Sequence, residues 1–85
     1  MKSFSYTIKD EAGIHARPAG TIAKAAKALD SEITITKGDK TVSASKLMAL
    51  MSLGVKCKDT VTITANGGNE EAAIAELKTL FENNL

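Results

Sequence analysis

Two hydrophobic periods alternate along this chain, and together they leave few folds open. Phe4, Tyr6 and Ile8 fall at every second residue with Ser5 and Thr7 between them, the period of a strand with one buried face. From Ala16 to Leu29 the period lengthens: Ala19, Ile22, Ala23, Ala26 and Leu29 share one side, with Lys24 and Lys27 off it, which predicts an amphipathic helix. Ile33 and Ile35 alternate with Thr34 and Thr36 in a second strand. Gly38 and Asp39 form a hairpin turn within Lys37–Lys40, leading to a short third strand over Thr41–Ser43,. Leu47, Met48, Leu50, Met51 and Leu53 predict a short helix of roughly two turns, stopped by Gly54,. In it Leu47, Leu50 and Met51 share one face, Met48 lies beyond it, and Ser43-Ala44-Ser45 offers caps,. Thr60–Ala65 is a fourth strand with Val61, Ile63 and Ala65 facing in. After the Asn66–Asn69 loop, Asn69 caps a last helix with Glu70 and Glu71 in its first turn, where acids complement the helix dipole. Ala73, Ile74, Leu77 and Phe81 form its buried face.

The order β-α-β-β-α-β-α predicts an α+β fold, a four-stranded antiparallel sheet with three helices on one face. It does not set the strand order, because a ferredoxin-like arrangement begins with the same six elements. Eighty-five residues fit one domain spanning 1–85,. Phe4, Tyr6 and Phe81 are the only aromatics, so the core rests on Ala, Ile, Leu, Val and Met. A net charge of +1 without blocks of like charge argues against nucleic acid, since such binding neutralises several phosphates at once. No apolar run approaches transmembrane length, and no membrane insertion is expected. Met1–Ser5 leads into a strand, not a signal peptide,. Cys57 is the single cysteine, so no internal disulfide forms, and a cytoplasmic location fits,.

Pro18 focuses attention on the only histidine. Proline is at home in the first helical turn, where its missing N–H has no intrahelical acceptor. The helix therefore starts near Ala16, and His15 falls at or next to the N-cap. Helix starts carry unpaired N–H groups and partial positive charge, so a phosphate is favoured there. The backbone N–H groups of Ala16 and Arg17 are the candidate donors, with Pro18 shaping the turn. The same field disfavours imidazolium and leaves His15 neutral and nucleophilic. Arg17 offers guanidinium donors to phosphate oxygens. These groups suit a phosphoryl relay, because such transfer depends mostly on alignment and charge compensation. No second substrate site or base accompanies them, so the chain is expected to be a carrier, not an enzyme. It is expected to need no cofactor and no metal: one His and one Cys fall short of a structural zinc site,. On these residues alone, a surface histidine without function remains an open alternative.

Gly13-Ile-His-Ala-Arg-Pro-Ala19 resembles the active-site motif of the HPr family, the histidine-containing phosphocarriers of the bacterial phosphoenolpyruvate-dependent sugar phosphotransferase system. The similarity continues, in register, through Lys40-Thr41-Val42, Leu47-Met48 and Met51–Gly54. It implies an open-faced β-sandwich. It also implies that His15 takes a phosphoryl group on Nδ1 from Enzyme I and passes it to Enzyme IIA units for sugar uptake. Arg17 would compensate the phosphate charge, and Leu47, Met48 and Met51 would form an exposed docking patch. Methionine suits a surface that must fit several partners in turn. A monomer is expected. One departure stands out: where many relatives carry a regulatory serine, this chain has Lys46, with Ser45 one place earlier. Ser45 reads as an N-cap or as a site for a serine kinase/phosphorylase. A regulatory protein acting by partner binding and a carrier of a specialised branch, such as a nitrogen-related one, are alternatives. A ferredoxin-like enzyme or RNA-binding module would need aromatic platforms or a second catalytic group, and neither is present. Cys57, between Lys56 and Lys58, carries no predicted redox or metal role,.

Overall fold

The structure, a computed structural model, describes residues 1–14 and 16–85. Its elements are β1 (Lys2–Thr7), α1 (Ala16–Ala28), β2 (Glu32–Lys37), β3 (Lys40–Ser43), α2 (Leu47–Ser52), β4 (Thr60–Asn66) and α3 (Glu70–Asn84). The predicted order holds. The strands form one sheet in the order β1-β4-β2-β3, with all three pairings antiparallel. That resolves the topology left open above. A split β-α-β unit would bring crossover strands into parallel register, whereas here β1 sits at an edge and pairs only with β4.

β2 and β4 each bury one side, as their alternation requires, β1 half-buries Phe4 and Tyr6, and the short β3 shows no such alternation. Val61, Ile63 and Ala65 of β4 and Ile33 and Ile35 of β2 are buried beneath the helices. α1 packs between α2 and α3, and α3 lies over β1 and β4. Phe81 of α3 meets the half-buried rings of Phe4 and Tyr6 edge-on, with centroids 6.0 and 5.7 Å away. The three aromatics thus form one cluster joining the last helix to the first strand. Such pairs add about 0.5–1.5 kcal/mol beyond their buried area.

The other face of the sheet is a field of hydroxyls. Register aligns Ser3, Thr64, Thr34 and Ser43 in one row and Ser5, Thr62, Thr36 and Thr41 in the next. Neighbouring hydroxyls bond across strands, at 3.3 Å for Ser5–Thr62 and 2.9 Å for Thr36–Thr41. This face carries no helix, which makes the architecture an open-faced sandwich.

α2 exposes the three residues expected to form a patch and departs from its sequence reading at its cap. Of the residues within the helix, only Leu50 is buried; Leu47 and Met51 are exposed beside Met48. With six residues, the helix is too short for its period to define a broad buried face,. Its N-cap is Lys46, which makes no side-chain cap bond, and not Ser45. The Ser45 hydroxyl is instead 2.9 Å from that of Ser43. Gly54, at φ +69°, ends the segment as expected,.

Candidate functional site

The site begins where β1 runs out. Its period continues through Ile8, whose N–H donates to the Asp59 carbonyl at 2.9 Å and whose carbonyl accepts from Lys58 N–H at 2.8 Å. The chain then turns at Asp10, whose Oδ1 accepts from Ala12 N–H at 2.8 Å. The N–H groups of Lys9 and Asp10 both donate to the Leu85 oxygen, at 2.6 and 2.8 Å. Gly13, at φ +68°, has no room for a side chain: a Cβ there would overlap the Val55 carbonyl and stand 2.7 Å from Lys56 Cα. This close approach lets Ile14 N–H reach the Val55 carbonyl at 3.1 Å. Glycine is required at this position for both its backbone conformation and its lack of bulk.

α1 opens with Ala16 and Arg17 exposed and Pro18 buried, and its first turn holds no acidic residue. Pro18 removes one N–H from the turn, and Ala16 and Arg17 carry the remaining backbone N–H groups at the start of the helix. Arg17 and Pro18 line a shallow hollow together with Asp10, Asn83 and Asn84. None of the three ion pairs among the described residues includes Arg17. His15, the predicted phosphoryl acceptor, lies outside the described residues. Its chain neighbours Ile14 and Ala16 end and begin the two segments just described.

The predicted docking residues stand on the helix next to α1. Leu47, Met48 and Met51 are 40%, 76% and 41% exposed, high values for large apolar side chains sharing six helical residues,. Ser45 is half-buried. Cys57 is half-buried as well, its thiol 3.8 Å from the Lys9 carbonyl. Among the described residues, no group of three or more His, Cys, Asp or Glu is placed to hold a metal ion. None of their helices is long and apolar enough to cross a membrane.

Sequence reading missed the support beneath Gly13–Ile14. Lys37 Nζ donates to the Gly54 carbonyl at 2.8 Å and lies 3.0 Å from Asp59 Oδ2. The same Asp59 oxygen accepts from Lys56 N–H at 2.8 Å. That backbone hydrogen bond and the Lys37 ammonium hold the Asp59 carboxyl below the usual aspartate range,. In the sequence, Lys37 looked like part of a hairpin turn, and Asp59 carried no signal at all.

An open-faced sandwich whose first helix starts acid-free behind a histidine defines a class: small proteins suited to carry an anionic group at a helix start. Comparison with known proteins makes the class specific. The family model described as the PTS HPr component phosphorylation site matches residues 2–83. The phosphocarrier protein HPr of Mycoplasma genitalium is 41% identical over 99% of this chain and 97% of its own. That of Mycoplasma pneumoniae is 40% identical over 96% and 94%. Among solved structures, a mycoplasma histidine-containing phosphocarrier protein superposes with a TM-score of 0.93 at 34% identity, covering 96% of this chain and 93% of the other. HPr-C-His of Thermoanaerobacter tengcongensis gives 0.92 at 40% identity, covering 98% and 93%. The chain belongs to the HPr family, the phosphocarriers of the phosphotransferase system.

Proposed function

We propose that His15 accepts a phosphoryl group on Nδ1 from phospho-Enzyme I, itself charged by phosphoenolpyruvate, and donates it to Enzyme IIA units that serve sugar uptake. The observation that carries this reading is the start of α1, where exposed Ala16 and Arg17 stand in a first turn with no acidic residue. During transfer, a P–N bond forms at Nδ1 as phosphorus leaves its donor. The charge gathered on the phosphoryl oxygens is met by the Ala16 and Arg17 amides and the Arg17 guanidinium. Each exposed dipole contact contributes roughly 0.3–1 kcal/mol, which holds the group without making it hard to release. The partners supply the rest of the reaction. Leu47, Met48 and Met51 offer them a small apolar surface, suited to brief contact.

A monomer is the proposed working form. The HPr dimer of Thermoanaerobacter tengcongensis, 40% identical, matches with a TM-score of 0.77, and the oligomeric state in solution tests this form. Similarity to Crh, a Bacillus subtilis catabolite repression protein, favours a second, regulatory reading, at 30% identity and TM-score 0.78. Against it stand His15 itself and the engagement of Ser45 with Ser43.

Intact mass after incubation with Enzyme I and phosphoenolpyruvate tests the proposal. The expected result is one acid-labile phosphoryl group on the wild type and none on a folded His15→Ala variant. A His15→Ala protein that still charges would sink the mechanism. Failure of the wild type to charge with an active Enzyme I would favour the regulatory reading, and kinase labelling at Ser45 would then decide it.

A further inference from the structure

Val55 is the platform on which the backbone before His15 rests, and both of its chain neighbours are pinned by one ion pair. Gly54, on one side, gives its carbonyl to Lys37 Nζ at 2.8 Å. Lys56, on the other, gives its N–H to Asp59 Oδ2 at 2.8 Å. Lys37 and Asp59 meet at 3.0 Å, each about one-third exposed (34% and 33%). The turn they close is not one the backbone adopts freely, since Lys58 lies at φ 74°, a region that side-chain-bearing residues rarely occupy. The Lys56 carbonyl also accepts from Asp59 N–H at 3.0 Å, so the turn is tied at both ends. Between the pinned neighbours, the buried Val55 turns its carbonyl to Ile14 N–H, with Gly13 pressed against Val55 and Lys56.

We propose that Lys37 and Asp59 are positioning residues for phosphoryl transfer: through the Val55 carbonyl they fix the Gly13–Ile14 backbone that immediately precedes His15 in the sequence. The inference rests on the phosphocarrier reading. Lys37 and Asp59 are placed by the end of β2 and the start of β4, so the rigid sheet sets the height of Val55 and thereby the entry into α1. Transfer is sensitive to such placement, because small misalignments of reacting groups reduce rates steeply.

The test measures two quantities on the intact chain: the rate of charging by Enzyme I, and amide hydrogen exchange at Ile14 compared with Ile63 and Ala65 in the sheet. Lys37→Met is expected to speed Ile14 exchange about tenfold while the sheet amides keep their protection. It should lower the kcat of charging about three- to tenfold with KM for this chain unchanged, since the docking residues are untouched. Lys37→Arg, which retains the cation and its donors, should restore both. Asp59→Asn, which keeps an acceptor for Lys56 N–H but loses the charge, should change both in the same direction by less. Wild-type exchange at Ile14 in Lys37→Met, or faster exchange at Ile63 and Ala65 as well, overturns the proposal. If the wild type itself does not charge, the phosphocarrier reading fails, and Ile14 exchange alone then judges the clamp.

Discussion

The starts of α1 and α3 use the same helix physics to opposite ends. At α3 the Asn69 side chain caps the helix, accepting from Ala72 N–H at 3.2 Å, and Glu70 Oε2 ties down the loop before it, accepting from Gly67 N–H at 2.6 Å. Glu70 and Glu71 place two carboxylates where the dipole favours them,. At α1 the first turn has no acid, a proline removes one donor, and an arginine adds positive charge. One helix start is capped from within the chain; the other, in the proposed function, is completed by the phosphoryl group. The contrast shows that a helix end becomes a site through what is withheld from it, since the donors are a property of every helix.

Three substitutions press on this contrast, the strongest first. Arg17→Glu places an acid in the first turn of α1, giving it the α3 pattern. The dipole welcomes that acid, so stability should hold or rise slightly. Charging of His15 should nevertheless slow about ten- to a hundredfold, the value of a hydrogen bond to a charged group. An unchanged rate would show the guanidinium to be dispensable. Asn69→Ala removes the cap at α3 and should cost about 1 kcal/mol in urea unfolding while leaving the charging rate alone. A slowed rate there would mean that the two helix starts are not independent. Lys46→Ser tests the third helix start, where no side chain caps α2. It should stabilise by about 0.5–1 kcal/mol, and no gain would show that those donors are already satisfied.

Much of this was legible in the chain itself, because burial leaves a period behind. Val61, Ile63 and Ala65 announce a one-sided strand, and Ala19, Ile22, Ala23 and Ala26 announce a one-sided helix; each is buried as its spacing requires. The site motif was legible for a local reason, since Pro18 can occupy only the first helical turn and so marks its start. What escaped was non-local or short. The strand order depends on β1 choosing β4, a partner far along the chain that its own residues do not specify. The exposed patch of α2 was legible only through the family resemblance, because in six residues the spacing of Leu47, Leu50 and Met51 does not tell which of them a neighbour covers. Ser45 looked like a cap because serine suits caps, but its hydroxyl found Ser43 first. Lys37 and Asp59 are ordinary surface charges in sequence and become a clamp only once β2 and β4 lie side by side.

The pairing of β1 also has a bearing on how the molecule is made. Lys2 lies opposite Ala65 and Thr7 opposite Thr60, so β1 has no partner in the sheet until the distant β4 is in place. A hairpin such as β2–β3 can close within microseconds, whereas a pairing across the chain must first overcome a long loop closure. Topologies rich in such distant contacts fold slowly for their size. The aromatic cluster of Phe4, Tyr6 and Phe81 joins β1 to α3 across a similarly long separation in sequence. Closure of the β1–β4 edge, not formation of the local hairpin, is thus the step that completes the sheet.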